Sequence, residues 1–266
     1  ALVGSDRYGR GEKSGGKPSY AFMGYGFSSF SEASYACWDM SEEWYDVLNK
    51  KLGAPKHSAA HHPGVARGYV KHDRDIWDMM VQTINKLGYE GKIGIQVDVA
   101  TDTYWDDDLQ RYVGIFSAET KTKDDLFKLY ELMVKEYPFV ILEDPLNEDD
   151  YEGTAELMKI VDVQVVGDDL FTTNPVRVQK GIEVGAANTV LLKVNQIGAI
   201  SEALDMIRLA YRNGYGVMPC SSRGEGADIA DYCVGINAGS VREGATGPTG
   251  NRFLQIEAEL GQRAVF

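Results

Sequence analysis

Apolar residues recur along the chain with two different periods. Between Ser31 and Leu52, Ala36, Met40, Trp44 and Leu48 fall at four-residue steps, which predicts a long amphipathic helix, and Ile76, Met79, Met80 and Ile84 predict a second over 73–87. From residue 90 onward the pattern becomes a repeating unit: a short unbroken apolar run, a polar or acidic residue at its end, a turn, then a helical stretch. The runs are 93–100, 139–144, 163–169, 189–195 and 214–220, with a weaker one at 240–244. The helical stretches are 123–137, 151–161, 174–186, 199–214 and one near 227–238, and 251–261 closes the chain. Residues 1–19, rich in Gly, Lys and Ser, read as an irregular lead-in, and 101–122 as an inserted excursion.

Strands alternating with helices at this spacing imply parallel pairing with helical crossovers, hence a doubly wound sheet or a barrel. The unbroken apolar runs require both strand faces to be covered, which suits either. The polar residues favour the barrel. Asp98, Glu143, Asp168 and Lys193 each close a run, and in a barrel all strand ends meet at one rim.

Composition narrows the function classes. With 44% hydrophobic and 11% aromatic residues in 266, the chain can bury a core and fits a single α/β barrel. A net charge of −13 argues against a nucleic-acid or anionic-membrane surface. No apolar run is long enough to span a bilayer and the N-terminus lacks a signal-peptide core. Cys37, Cys220 and Cys233 form no CxxC pair, so neither a disulfide framework nor a structural zinc site is expected, and a reducing, cytoplasmic compartment is. The first residue is Ala, which suggests a processed product or a piece of a longer protein.

The strand-end residues carry the chemistry. Asp98 to Glu143 is 45 residues, and Glu143 to Asp168 and Asp168 to Lys193 are 25 each, as successive βα units would give. A strand-end carboxylate alone often does no more than cap the next helix. Three of them brought together repel one another and ionise only around a cation; oxygen ligands select a hard ion, Mg²⁺ before Zn²⁺. An amine beside such an ion releases its proton more readily and becomes a general base, which makes Lys193 the candidate. Metal and base together suit abstraction of the proton α to a carboxylate, with the charge of the ene-diolate held by the metal.

The stretches IGIQVDVA, LEDPLNEDDYEG, VVGDDLFTTNP, LLKVNQIGAISEAL and NGYGVM, in that order, closely resemble the barrel domain of enolase. The match is dense over 83–218 and resumes in LQIEAELG; a thinner similarity runs through FSSFSEAS and the first predicted helix. The resemblance implies a TIM-type (β/α) barrel of the enolase superfamily over 1–266, with 20–92 its divergent first part and 93–266 its well-matched βα units. It makes Asp98, Glu143 and Asp168 the Mg²⁺ ligands and Lys193 the proton-abstracting base. It also implies an N-terminal capping domain that precedes the barrel, supplied by a separate chain or by a longer polypeptide in preference to a barrel working uncapped, and a homo-oligomer is expected.

Other motifs depart from the family. Where enolase has GDEGG, with the Glu that helps the leaving hydroxyl depart, this chain has VARGYV and so Arg67. The Glu of QEFM is Ala21 of YAFM. SHRSGE is CSSRGE, which turns the substrate-binding His into Ser221 and the phosphate-binding Arg into Ser222 and moves a guanidinium to Arg223; the second substrate-binding Lys becomes Arg242. Arg223, Arg242, Ser221, Ser222 and Arg67 are therefore the substrate-binding candidates, with His61 and His62 as replacement acids. Cys220 reads as packing, and Tyr25, Tyr69 and Trp105 as possible pocket walls. The expected function is a Mg²⁺-dependent lyase of hydro-lyase type acting on a small anionic acid, phosphorylated or phosphonate forms among them. A genuine enolase and a catalytically silent enolase-like binding protein are the alternatives.

Overall fold

The repeating apolar runs fold into one curled sheet, and the amphipathic stretches cover its outer side. The computed structural model describes residues 7–8, 17–52, 64–65, 67–222 and 224–266. The strands are β1 (Ser19–Gly24), β2 (Ile93–Asp98), β3 (Trp105–Asp106), β4 (Arg111–Tyr112), β5 (Phe139–Glu143), β6 (Gln164–Gly167), β7 (Thr189–Leu192) and β8 (Gly216–Pro219). The helices are α1 (Phe30–Leu52), α2 (Arg74–Lys86), α3 (Lys123–Glu136), α4 (Tyr151–Leu157), α5 (Pro175–Val184), α6 (Val194–Ile197), α7 (Ile200–Arg212), α8 (Asp228–Gly235) and α9 (Gly247–Leu260). The main sheet has the order β1-β2-β5-β6-β7-β8, and β3 and β4 form a separate ribbon inside the 101–122 excursion.

Pairing is parallel from β2 to β8, and a parallel bridge from Cys220 to Arg242 carries the curl on to the weak 240–244 run. The alternation of runs thus yields a barrel-type curl, six strands of which are seen among the described residues. β1, which the sequence pattern leaves unassigned as a strand, is antiparallel to β2, with Ser19 opposite Asp98 and Gly24 opposite Ile93. The parallel rule fails there because two long helices, α1 and α2, separate β1 from β2, and the additional traverse reverses the chain direction. The N-terminal end of β1 therefore lies at the rim where the other strands end.

Two hydrophobic layers sandwich the sheet. Ile141, Val166, Leu191, Met218 and Cys220 form the inner cluster, with Met23 and Val140 packed against it. Leu142, Val165, Val190, Leu192 and Val217, at the alternate positions, join Leu126, Val178, Met206 and Ile207 of the helices in the outer core. Because strand side chains alternate with period two, the residue two beyond each inner apolar one also points inward, at the rim. Those residues are Glu143, Asp168, Lys193 and Cys220.

A buried ionic knot ties the lead-in to this frame. Asp73, at the start of α2, accepts two hydrogen bonds from Arg7, at 2.9 and 2.7 Å, and one each from the Tyr8 and Tyr20 hydroxyls, both at 2.6 Å. Arg7 and Asp73 are both buried. Removing one partner of such a pair leaves an uncompensated charge in the interior, so Asp73→Ala is expected to destabilise the protein by about 3–5 kcal/mol. Urea unfolding followed by tryptophan fluorescence measures this as a lowered midpoint.

Candidate active site

Four buried carboxylates meet at the C-terminal ends of β2, β5 and β6. Asp98 ends β2, Glu143 ends β5, Asp144 follows it and Asp168 follows β6. Parallel pairing sets Asp98 beside Glu143 in the β2–β5 register, so these side chains are neighbours by construction. Carboxylate oxygens of Asp98, Glu143 and Asp144 approach within 4.8 Å of one another, and so do those of Asp144, Asp168 and Asp169. The three predicted ligands are thus brought to one rim in two adjoining groups that share Asp144, a residue the sequence reading passed over. Its only signal was its place beside Glu143 in the LEDP motif. Capping does not explain the strand-end acids, since α3, α4 and α5 are capped by Thr122, Asp150 and Asn174.

The backbone at this rim is held in unusual conformations. Ala100, Asp144, Thr172, Thr173 and Glu243 all have positive φ, between 42° and 61°. Left-handed non-glycine residues cost about 1–3 kcal/mol each and concentrate at functional sites. Asp144 shows what holds it there: its carboxylate accepts the backbone N–H groups of Asp168, at 3.0 Å, and Asp169, at 2.9 Å, locking the β5 end to the β6 end. Thr173 does the same for the next pair, its hydroxyl accepting the Lys193 N–H at 3.0 Å and donating to the Leu191 carbonyl at 3.1 Å.

Cations interleave with the acids. The Lys193 ammonium contacts Asp168 Oδ2, and Gln196 Nε2 donates to Asp168 Oδ1 at 3.3 Å. Arg242 lies 2.6 Å from Asp98 and 3.0 Å from Glu143, and Lys17, from the lead-in, contacts Asp98. Burial raises the Glu143 carboxyl above its ordinary range, with Arg242 opposing and Asp168 adding to the shift. Burial raises Asp144 well above its range too, reinforced by Asp168 and Asp169. Burial, followed by the charge of Arg242, lowers Lys17. Gln96 donates to Glu143 Oε2 at 2.8 Å, Glu143 Oε1 meets the Arg242 guanidinium at 3.0 Å, and Gln96 Oε1 is buried and receives no hydrogen bond. An all-oxygen donor set of closely grouped carboxylates, with the buried Gln96 Oε1 unpartnered beside it, fits a hard divalent cation.

The remaining candidates are less closely gathered. Arg242 is directed onto the carboxylates. Ser221 donates to the Glu243 carbonyl at 3.1 Å, and the exposed Ser222 accepts from the Cys220 thiol. Arg67 is exposed in a turn, as is Tyr69 nearby. Arg223, His61 and His62 lie outside the described residues. Ala21 and Ser221, two of the departures from the enolase pattern, border the same cavity of about 1130 Å³ between β1, α1 and α9. The sequence held no signal for Lys17 or Gln96: one lies in an aperiodic lead-in and the other inside an apolar run.

Comparison with known proteins follows the same lines. The family model described as enolase, C-terminal TIM barrel domain, matches residues 18–266. The enolase of Methanocaldococcus jannaschii is 39% identical over 254 residues, covering 91% of this chain and 58% of that protein. The enolase of Methanopyrus kandleri is 40% identical over 256 residues, with the same coverage of 91% and 58%. The chain thus spans 58% of the length of these curated relatives.

A pH dependence follows from the raised carboxyls. A carboxyl raised in the folded state stabilises the protein fully below its unfolded value, about 4.3 for Glu and 3.9 for Asp, and that contribution is lost as pH rises through the folded value. The metal-free protein is therefore expected to lose stability from these groups as pH rises from about 4. Asp144→Asn is expected to flatten that loss. Urea midpoints measured across pH for both proteins check it.

Proposed function

The chain belongs to the enolase family, and we propose that it is the barrel part of a Mg²⁺-dependent lyase that removes the proton α to the carboxylate of a small anionic acid. The observation that carries this reading is the contact of Lys193 with Asp168 at the end of the row of buried carboxylates. Asp98, Glu143 and Asp168 would hold the ion, with Asp144 bracing the last two. When bound, the ion supplies positive charge against which the substrate carboxylate can accumulate negative charge.

The base is Lys193. Once the Lys193 ammonium has given a proton to solvent and left Asp168, the neutral amine takes the α-proton, and the substrate becomes an ene-diolate. Thr173 holds the Lys193 backbone while the side chain moves. Arg223, Arg242, Ser221, Ser222 and Arg67 are proposed to receive a second anionic group, and guanidinium forks suit phosphate, phosphonate or carboxylate. Arg242 can do so only by leaving Glu143. The portion of the relatives outside this chain's match is proposed to cap the rim and exclude water, which protects a reactive ene-diolate. Self-association is part of the same proposal.

The relatives' own names favour a second reading, dehydration of 2-phosphoglycerate by an ordinary enolase. The chemistry of the leaving group opposes it. Neither Arg67 nor Ala21 can give a proton near neutrality, since an arginine stays charged. Silent binding is disfavoured because a row of buried acids and a buried lysine are expensive to keep without use.

Solvent deuterium exchange into small carboxylic acids, with Mg²⁺ and any capping partner present, tests the proposal. Exchange at the α-carbon is expected in the unaltered protein. It should be lost in Lys193→Ala and in Glu143→Gln without loss of the fold by circular dichroism. Replacement of the acid Glu by Arg67 should slow 2-phosphoglycerate turnover about 10²- to 10⁴-fold relative to an ordinary enolase. Turnover at the usual rate would establish the second reading, and Arg67→Glu alone is expected not to restore it.

A further inference from the structure

We propose that Lys17 is a built-in stand-in for the divalent cation, neutralising Asp98 while the ion is absent and withdrawing when it binds. The inference rests on the reading of the carboxylates as a metal site. Two cations crowd the same atom: the Lys17 ammonium contacts Asp98 Oδ2, and Arg242 Nη2 lies 2.6 Å from that oxygen. One carboxylate does not need both, and like charges so placed repel.

The charge count gives the exchange its direction. Among the described residues, four buried carboxylates, Asp98, Glu143, Asp144 and Asp168, face the cationic side chains of Lys17, Arg242 and Lys193. Asp169 belongs to the same acidic group and Glu243 lies 3.9 Å from Arg242, so the acids outnumber the cations. A divalent ion carries twice the charge of the Lys17 ammonium, so exchanging one for the other at Asp98 offsets more of the repulsion among the acids.

Lys17 is also the cation most able to leave. Its side chain is 25% exposed, against 10% for Arg242 and 4% for Lys193. It precedes the β1 ladder, while Arg242 is fixed by a backbone bridge to Cys220 and by contacts with both Asp98 and Glu143. An ammonium on a flexible stem can swing into water with little rearrangement. The backbone need not follow, because the Lys17 carbonyl accepts the Tyr104 hydroxyl and the Pro18 carbonyl accepts Arg7 at 3.0 Å.

Calorimetric titration of the metal-free chain with Mg²⁺ tests this without reference to turnover. Lys17→Met is expected to bind Mg²⁺ about tenfold more tightly than the unaltered protein, because the ion no longer has to displace an ammonium from Asp98. Lys17→Arg, which keeps the charge, should bind as the unaltered protein does. Reductive methylation read by mass spectrometry should find Lys17 more reactive with Mg²⁺ than without it. Equal or weaker binding by Lys17→Met, where the unaltered protein binds, overturns the role of Lys17 and leaves the metal site standing. No Mg²⁺ binding by either protein overturns both. If Lys17→Met does not fold, the methylation comparison on the unaltered chain decides, and unchanged reactivity counts against the proposal.

Discussion

Acidic side chains buried next to one another at the end of a sheet need positive charge beside them, and much of this structure is arranged to supply it. Taking a carboxylate out of water costs several kcal/mol even after relaxation, and neighbouring carboxylates add their repulsion. Asp98, Glu143, Asp144 and Asp168 are all nearly inaccessible. Each cation near them comes from a different part of the chain: Lys17 from the lead-in, Lys193 from the end of β7 and Arg242 from the segment bridged to β8. The rim is where distant segments are held to one another, and the apolar layers beneath it set their positions.

Those layers explain why the polar residues converge. Ile141, Val166 and Leu191 each point into the barrel, and period two puts Glu143, Asp168 and Lys193 on the same side one step further along. Parallel pairing then lines up the ends. The reversed strand β1 contributes differently, because its beginning and not its end reaches the rim. That reversal brings Lys17 to Asp98, and the Arg7–Asp73 knot steadies the segment that carries it.

The two halves of the site differ in kind. The acids and Lys193 are interlocked by backbone hydrogen bonds through Asp144 and Thr173, so altering one disturbs several strand ends. Of the described positions that depart from the enolase pattern, Arg242 is buried among the acids, while the others sit in looser surroundings: Arg67 in an exposed turn, Ser222 on the surface, Ala21 and Ser221 along a cavity wall. Substitution at those looser positions leaves the buried charge of the rim as it is.

Much of this was legible in the chain itself. Unbroken apolar runs separated by amphipathic stretches specify covered parallel strands with helical crossovers, and the predicted runs match β2, β5, β6, β7 and β8 to within a few residues. The polar residue closing each run marked Asp98, Glu143, Asp168 and Lys193, because local periodicity alone decides which face a strand residue takes. What local pattern cannot carry is a partner distant in sequence. β1 lies in a short stretch without clear alternation, and its direction depends on how many helices return the chain to the sheet. Asp144 is fixed by the N–H groups of the next strand's end, 24 and 25 residues away, and Lys17 is 81 residues from Asp98. The sequence by itself determined the layered α/β architecture and the residues able to do chemistry. Only the tertiary structure decided which charges share a carboxylate, because that depends on how strands close on one another in space.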